Sequence, residues 1–490
     1  MKSYVCALIL SISILVPQTQ LGSDIDGEYG YDQSGVCVST SSDGSRVTIG
    51  SRLNDGNGSD AGHVRVYDLV NGSWTQVGED IDGEAAHDES GFRLSMSSDG
   101  SSLAIGARKN DGSGDNAGHV RIYEYANGSW TQVGADIDAE AHADRAGRSV
   151  FISSDGTRVA IGANLNDGNG SNAGHVRVYD LVNGSWIQVG EDIDGEAADD
   201  ESGISVSMSS DGSRLAIGAH QNDGNGSNAG HVRVYDLVNG SWIQVGEDID
   251  GEAADDESGI SVSMSSDGSR LAIGAHQNDG NGSDAGHVRV YDLVNGSWTQ
   301  VGDDIDGEAE DDRSGKVSMS SDGSKVAIGA TLNDNGNGVD AGHVRIYDYV
   351  NGNWTQAGDD IDGESEDDRS GGSVSMSSDG FRLAIGATYN NGNGNKSGHV
   401  RVYSISTEPE IFQPQTKTDL QTAVDLWVSN NASALSTYGP INSWDLSLIT
   451  DMSDLFKDKS TFNDDIGNWD VSSVTNMENM FKNAAIFHQD

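Results

Sequence analysis

The pattern of hydrophobic and polar positions is the same in many successive segments of the chain. In SVSMSSDGSRLAIGAHQNDGNGSNAGHVRVYDLVNGSWIQVG, residues 205–246, apolar side chains alternate with small or polar ones in four short runs. Two runs flank Asp211-Gly212 and two flank Asn239-Gly240, and both dipeptides are typical of tight hairpin turns. The unit therefore predicts two hairpins, which supply four strands. The alternate positions expected to face the core are Val206, Met208, Leu215, Ile217, Val232 and Val234.

This unit recurs at a fixed spacing. Residues 209–242 occur again at 265–298 with a single Asn-to-Asp difference. Seven units of four short strands predict a seven-bladed β-propeller, and the fold class is mostly all-β. The structural rival is an open solenoid, which would need polar end caps that the sequence does not show. The tetrapeptide GHVR marks each unit, 56 residues after the last, with its histidine at His63, His119, His175, His231, His287, His343 and His399.

The two ends of the repeat region complement each other. TQVGEDIDG at residues 75–83 matches TQLGSDIDG at 19–27, so the N-terminal stretch supplies a lone fourth strand. The last unit, ending at residue 406, lacks that strand. We therefore predict that residues 18–25 complete the seventh blade and close the propeller, which removes two exposed sheet edges. The propeller domain is predicted over residues 17–408.

The repeat unit resembles a known family. SGISVSMSSDGSRLAIGA followed by GHVRVY is similar to the FG-GAP repeats of integrin-alpha-type β-propellers, and the resemblance covers residues 18–406. Such repeats bind calcium through a run like Asp-x-Asp-x-Asp-Gly between the first two strands of a blade. In this chain that connection is the tight SSDGS turn, so the resemblance does not place calcium there.

The repeat pattern of the sequence changes after the propeller. Residues 409–417 are predicted as a linker, and 418–490 as a second domain that opens with a short helix. Thr418 and Gln421 have capping-box spacing, and Leu420, Val424 and Trp427 share a helical face. Two copies of a 25-residue unit follow. The paired positions are Trp444 with Trp469, Met452 with Met477, Phe456 with Phe481, and Phe462 with Phe487.

The motif in these two copies also resembles a known family. WDVSSVTNMENMF closely resembles the BspA-type 25-residue surface-protein repeats, which are similar to leucine-rich repeats. The resemblance implies the start of a leucine-rich-like solenoid over residues 442–490. Because such arrays need about three units and a cap, we expect the sequence to be truncated.

Charge and the N-terminus limit the cellular setting. The chain has 78 acidic and 28 basic residues, for a net charge of -50, which argues against nucleic acid or an anionic membrane as partner. Lys2 precedes the apolar run at residues 4–16, which predicts a secretion signal over residues 1–16, with an uncleaved anchor as the alternative. Cleavage would leave Cys37 as the only thiol, so no internal disulfide is expected. We expect a secreted or cell-surface protein.

The long connections are rich in carboxylates and amides. In an up-and-down blade the connections after the second and fourth strands emerge on one face, which we call the loop face, and the short turns share the opposite turn face. Oxygen ligands at alternate positions between glycines predict Ca²⁺ binding there. The rival is a solvated acidic rim in which Asp and Asn serve turns. The candidate calcium ligands are Asp55, Asn57, Asp167, Asn169, Asp192, Asp194, Asp223, Asn225, Asp248, Asp250, Asp279 and Asn281.

Three recurring residues have a structural interpretation as well as a functional one. The GHVR histidines could form a metal centre, but they open the third strand, away from the axis, and are predicted to pack between blades. The repeated tryptophans, such as Trp186, are predicted to pack on outer strands rather than stack on sugars. Asn-Gly-Ser sequons permit N-glycosylation but are also preferred hairpin turns. The glycosylation candidates are Asn71, Asn127, Asn183, Asn239 and Asn295.

No feature of the sequence indicates catalysis. Near-identical units offer seven equivalent sites instead of one asymmetric constellation, and the deviations Arg93, Arg148 and Lys316 are interpreted as scattered. We therefore predict a non-enzymatic binding and adhesion protein, calcium-dependent, that presents a propeller face and a solenoid to an extracellular protein or glycan. The propeller is expected to be monomeric, with no membrane span beyond the signal. The alternatives are an extracellular carbohydrate-active propeller enzyme and a structural wall or matrix protein.

Overall fold

The computed structural model describes residues 18–405 and 412–488. The predicted signal at residues 1–16 therefore lies outside the described residues. The chain divides into two compact units, one made of the strand repeats and one in the C-terminal part, and they are described separately.

The repeat region forms seven antiparallel sheets, one per unit, as the sequence pattern predicts. The first strands are Ser34–Thr40, Arg93–Met96, Ser149–Ile152, Ser205–Met208, Ser261–Met264, Ser314–Met319 and Ser370–Met376. The second strands are Arg46–Ser51, Ser102–Ala107, Arg158–Ala163, Arg214–Ala219, Arg270–Ala275, Lys325–Ala330 and Arg382–Ala387. The third strands are His63–Val70, His119–Ala126, His175–Val182, His231–Val238, His287–Val294, His343–Val350 and His399–Ile405.

The fourth strand of each blade is interrupted. Its first part is Ser73–Gln76, Ser129–Gln132, Ser185–Gln188, Ser241–Gln244, Ser297–Gln300, Asn353–Gln356 or, in the seventh blade, Gln18–Gln20. A two-residue second part then pairs with the start of the same third strand. These second parts are Ile81–Asp82, Ile137–Asp138, Ile193–Asp194, Ile249–Asp250, Ile305–Asp306, Ile361–Asp362 and Ile25–Asp26.

The N-terminal strand closes the propeller, which confirms the prediction from the sequence. Ile25 pairs with Val400 and Asp26 with His399, so this stretch occupies the fourth position of the seventh blade. Closure is also visible on the turn face, where the second serine of each SSDG turn donates its backbone N–H to the equivalent carbonyl of the next blade. This series runs from Ser42 through all seven blades and returns from Ser378 to Ser42 at 2.8 Å. An open solenoid could not make that last bond.

The alternating apolar positions form the core between neighbouring blades. Val206, Met208, Leu215 and Ile217 of the fourth blade pack against Val176 and Val178 of the third. The small residues between them have a further role, because innermost strands leave backbone donors without a sheet partner. Ser207 Oγ, for example, accepts a hydrogen bond from the backbone N–H of Met264 in the next blade, at 3.0 Å.

The third–fourth hairpin turns adopt the geometry that Asn-Gly favours. Asn71 and Gly72 both have positive φ, at 50° and 79°, as a type I′ turn requires. The equivalent Asn and Gly residues of the other sequons repeat these values, and the side chains are exposed. Their glycosylation stays a prediction.

Two repeated side chains join the blades. Trp186 Nε1 donates to the backbone oxygen of Val133 in the preceding blade, at 2.9 Å, which agrees with the predicted outer-strand packing. The arginine of GHVR, to which the sequence pattern gave no role, donates to the backbone of the preceding blade. Arg233 Nη2 lies 2.6 Å from the Asp194 carbonyl oxygen, and the same bond occurs in every blade.

The C-terminal unit begins with helices α1 (Lys417–Ser429), α2 (Asn431–Tyr438) and a 3-10 turn at Ile441–Ser443. The predicted buried face of α1 is confirmed, because Leu420, Val424 and Trp427 are buried. The predicted capping box at Thr418 and Gln421 is wrong. Thr416 is the N-cap instead, and Asp419 completes the box, so the helix starts two residues earlier.

The two 25-residue copies stack in register. The backbone N–H of Phe456 donates to the carbonyl of Met480 at 2.8 Å, and equivalent bonds link neighbouring positions. The predicted aromatic pairs are in contact: Phe456 and Phe481 have ring centroids 5.3 Å apart, and Phe462 and Phe487 are 5.7 Å apart. Within the described parts of the chain, neither helix is long and apolar enough to cross a membrane.

Candidate functional site

The predicted calcium ligands of the NDGNG loops hold those loops together. The aspartate of each loop accepts a backbone N–H five residues later through Oδ1, at 2.8–2.9 Å; these are Asp55, Asp167, Asp223 and Asp279. The amide of each asparagine donates to a backbone oxygen of the following DIDGE loop, at 2.7–2.8 Å; these are Asn57, Asn169, Asn225 and Asn281. The two acidic loops of one blade share the loop face, as predicted, and the structure adds that they are in contact and that Asp and Asn serve turns.

The predicted ligands of the EDIDG loops lie close to the GHVR histidine. Asp192 Oδ2 is 3.7 Å from His175 Nδ1, and Asp248 Oδ2 is 3.8 Å from His231 Nδ1. A glutamate of the preceding blade completes each set, as Glu196 does at 3.9 Å from His231. Asp194 and Asp250 instead offer their backbone carbonyls to the GHVR arginine of the next blade. Sequence reasoning missed these sets because they combine two blades.

Burial determines the protonation of these groups. His231 is 1% exposed, and burial together with Arg233 lowers its pKa to about 4. Burial and the neighbouring Asp248 carboxylate raise the pKa of Asp250. The histidine is therefore neutral at pH 7, while the two aspartates of one EDID segment repel each other.

The donor sets fit calcium only in part. Each set combines one imidazole nitrogen with two carboxylates, and an arginine already lies near the glutamate, at 3.6 Å from Arg233 Nη1 to Glu196 Oε1. Calcium prefers six to eight oxygens. The loop aspartates, such as Asp167, use only Oδ1 to close their turns, so their second oxygens are the better calcium donors.

The first strands surround a channel along the propeller axis. Its end at the turn face is lined by serines of the SSDG turns and by methionines of the first strands. Its other half is a cavity of about 220 Å³ lined by residues from all seven first strands, and no aspartate or glutamate is among them. This half opens toward the loop face, because the first strands begin there.

Three deviations from the repeat converge at this opening, which corrects their interpretation as scattered. Arg93 and Lys316 line the cavity, and Arg148 immediately precedes its lining residue Ser149. The three positive charges interact electrostatically, because burial together with Arg93 and Arg148 lowers the pKa of Lys316 to about 7. Burial and Arg93 also lower the pKa of Arg148. We call Arg93, Arg148 and Lys316 the basic mouth.

Four guanidinium groups lie around the phenyl ring of Phe92, beside the basic mouth. The guanidinium carbons of Arg108, Arg93, Arg148 and Arg52 lie 3.7, 4.5, 5.1 and 5.7 Å from the ring centroid of Phe92. The flanking bases have partners: Arg108 and Lys109 each lie 2.8 Å from Glu89, and Arg52 donates to Gln33 at 2.7 Å.

On the other side of the basic mouth lie two histidines that the sequence analysis did not single out. His220 and His276 follow the second strands of the fourth and fifth blades. Burial and the nearby cationic groups, including Lys316, lower the pKa of each to about 3, so both are neutral. His276 Nε2 is 3.6 Å from Glu257 Oε2.

A signal for the basic mouth was present in the sequence. Arg148 directly follows Gly147 just before a first strand, Lys316 directly follows Gly315 at the start of a first strand, and Arg93 comes one position later, after Gly91 and Phe92. In a closed propeller, equal repeat positions lie at equal height and equal distance from the axis. Aligning the deviations in the repeat register would therefore have brought them together.

Comparisons with solved structures give similarities at low identity. The chain is similar to Kuenenia stuttgartiensis hydrazine synthase, with 14% identity and a TM-score of 0.49, over 83% of this chain and 100% of that chain. It is similar to the Cps50 (Swd1) beta-propeller domain of Myceliophteria thermophila, with 12% identity and a TM-score of 0.49, over 80% of this chain and 100% of that chain. No curated protein sequence matches the chain.

Comparisons with protein families match two parts of the chain. Residues 424–490 match a family described as Mycoplasma protein of unknown function, DUF285. Residues 193–235 and 249–291 match the FG-GAP repeat, and these stretches lie in the third to fifth blades. The chain thus carries FG-GAP repeats within a seven-bladed β-propeller.

Proposed function

We propose that this chain is a secreted or cell-surface, non-enzymatic binding and adhesion protein whose propeller contacts an extracellular protein or glycan through its loop face. The observation that carries this proposal is the convergence of Arg93, Arg148 and Lys316, which makes the loop-face end of the channel chemically unlike the rest of the molecule. Propellers built from FG-GAP repeats are typical of integrin-like binding folds, which supports the same assignment. The C-terminal repeats would act as a second binding surface of the BspA type.

Blocking one face of the propeller tests this assignment. Ser227 lies in an exposed loop of the fourth blade on the loop face, and Ser241 is exposed beside the turn of the same blade on the turn face. We expect maleimide-polyethylene glycol attached to S227C to abolish binding of the full chain to immobilised matrix proteins and glycans, and the same label on S241C to leave it intact. Burial raises the pKa of the one native propeller thiol, Cys37, which should stay unlabelled. Equal binding by both conjugates would exclude the loop face.

We further propose that calcium stabilises the acidic loops. Neighbouring aspartates of each EDID segment repel each other, as the raised pKa of Asp250 beside Asp248 indicates, and a divalent cation would relieve that repulsion. We expect millimolar Ca²⁺ to raise the unfolding midpoint of the full chain, and EDTA to reverse the shift, because a ligand bound only by the native state stabilises it. Mg²⁺ and Na⁺ at matched ionic strength control for screening. Identical midpoints in Ca²⁺ and in these controls would remove calcium from the proposal.

One observation favours an enzyme as a second candidate. The basic mouth is asymmetric, and it places Lys316, whose pKa burial lowers to about 7, near Glu257, whose pKa burial raises. A lysine of that pKa can act as a general base near neutral pH. Incubating the full chain with acidic and neutral oligosaccharides and following the appearance of reducing ends tests this candidate, and K316M should abolish any activity found.

A further inference from the structure

We propose that the basic mouth binds an oxyanion group, that is a carboxylate, sulfate or phosphate, presented by a small extracellular ligand. This deepens the proposed function, because it names the ligand chemistry of the loop face. In a chain of net charge -50, a site with this preference is unexpected from composition alone.

The charges of the basic mouth lack ionic partners. Among the described residues of the propeller, Arg148 Nη1 is buried without a hydrogen-bond partner, and the guanidinium of Arg93 donates only to the Phe92 carbonyl, at 2.9 Å. Within residues 18–405, no carboxylate oxygen lies within 4.0 Å of the charged nitrogens of Arg93, Arg148 or Lys316. Most other bases at this end of the channel are paired, as Arg313 is with Asp284 and Arg369 with Asp340, both at 3.8 Å.

Two of the nearby carboxylates bind other side chains, and the third, Glu257, acts on Lys316 electrostatically without an ion-pair contact. Glu89 lies 2.8 Å from both Arg108 and Lys109, and Glu201 accepts a hydrogen bond from Asn164 at 2.6 Å. Holding two guanidinium groups beside a lysine whose pKa is lowered to about 7 is costly in a half-buried site, because Glu201 and Glu257 act on these groups only from a distance. A bound anion would remove that cost, so the uncompensated positive charge favours anions over neutral ligands.

The site is also held in place before any ligand arrives. The Phe92 ring lies within 5.1 Å of the guanidinium carbons of both Arg93 and Arg148, which restricts two flexible side chains through cation–π contact. Arginine offers paired donors that match the two oxygens of a carboxylate or sulfate. Fixing these donors in advance reduces the entropy lost on binding.

The surroundings select for the size of the anion. The cavity of about 220 Å³ has room for several water molecules, each of which occupies about 30 Å³ in the liquid, and therefore for a small oxyanion. The acidic loops around the opening repel extended polyanions. The geometry therefore favours a single oxyanion group over a polyanionic chain.

Thermal unfolding of the full chain with simple anions provides the test. We expect sodium sulfate, phosphate and glucuronate to raise the midpoint saturably above sodium chloride at matched ionic strength. R148Q and R93Q should each weaken apparent affinity by about tenfold, the loss expected for one charge-assisted contact. K396Q is the matched control, because Lys396 lies over Tyr389 outside the cavity lining, and its affinity should equal that of the unmodified chain. The order of the apparent affinities for the three anions indicates whether the ligand presents a sulfate, a phosphate or a carboxylate.

Proton uptake gives a second, independent readout. Lys316 faces Arg93, Arg148, Glu257, His220 and His276, and a bound anion would raise its lowered pKa. Calorimetric titration with sulfate at pH 8 in two buffers of different ionisation enthalpy should therefore show proton uptake, which K316M removes. Equal sulfate effects in the unmodified chain, R148Q and R93Q would overturn the proposal, as would no shift beyond chloride. If the chain binds sulfate at the basic mouth but binds no immobilised matrix protein or glycan, the anion site is supported and the proposed adhesive function is contradicted.

Discussion

Replacing Gly386 with alanine is expected to lower the free energy of unfolding by about 3 kcal/mol, because it forces apart the two blades that meet at the closure of the propeller. A Cβ on Gly386 would come closer than 3.0 Å to the carbonyl oxygen of Gly35 in the first blade, and that backbone cannot yield without moving the first strand. The same approach recurs between every pair of adjacent blades. Chemical denaturation of the full chain, followed by tryptophan fluorescence, measures the effect.

Two other glycines calibrate this result. Gly336 is exposed, with nothing within 4 Å of an added Cβ, so G336A should change stability by less than about 1 kcal/mol. Gly251 has a tight approach, but the second blade already carries Ala139 at that position, where the backbone hydrogen bond lengthens from 2.7 to 3.1 Å. G251A should therefore cost less than G386A. Equal losses for all three variants would mean that closure does not depend on the Gly386 contact.

Acidification from pH 6.5 toward pH 4 is expected to destabilise the propeller steeply. Burial and the adjacent arginine lower the pKa of His63, His231, His287, His343 and His399 to about 4, and burial lowers those of His119 and His175. The unfolded chain, with histidines near 6.5, binds more protons in this window, so native stability falls as pH falls. Each histidine contributes roughly 1 kcal/mol per pH unit there.

The carboxylates act in the opposite direction but lower in the window. Burial raises the pKa of residues such as Asp250 and Glu252, so the native state gains protons at these groups earlier than the unfolded chain does. Protonation of these carboxylates stabilises the native state only as the pH approaches their own pKa values. The histidines, by contrast, destabilise the native state from pH 6.5 downward. The step from pH 6.5 to 5.5 therefore isolates the histidines.

A pair of histidine variants identifies the source of the pH dependence. H231N should reduce the slope of unfolding midpoint against pH, because it removes one buried histidine. H142N changes an exposed histidine and should leave the slope unaltered. Calorimetry of the full chain between pH 6.5 and 5.5 gives both slopes. A flat profile, or equal slopes for the two variants, would contradict the assignment to the GHVR histidines.

The sequence determined the local structure and the closure of the propeller. Alternation in runs such as SRLAIGA set which side chains face the core, and Asn239-Gly240 set the hairpin geometry, because both depend on neighbours along the chain. Closure was also predictable, since a missing fourth strand at one end matched a spare one predicted at residues 18–25. The aromatic pairs of the C-terminal repeats followed from their spacing in the same way.

The tertiary structure decided which distant residues form sites. The sets of His231, Asp248 and Glu196 join two blades, and Arg93, Arg148 and Lys316 come from three. Neither group of residues could be derived from the alternation of apolar and polar positions. That alternation specifies only which face of its own strand a side chain occupies. Contacts between blades depend instead on how neighbouring sheets are rotated about the common axis. The predicted N-cap of α1, Thr418, was wrong for a related reason. Both Thr416 and Thr418 are followed three residues later by a side chain that can complete a capping box, so the local sequence alone does not decide between them. In this protein the sequence therefore determined the blades, and their circular arrangement decided the chemistry at the axis.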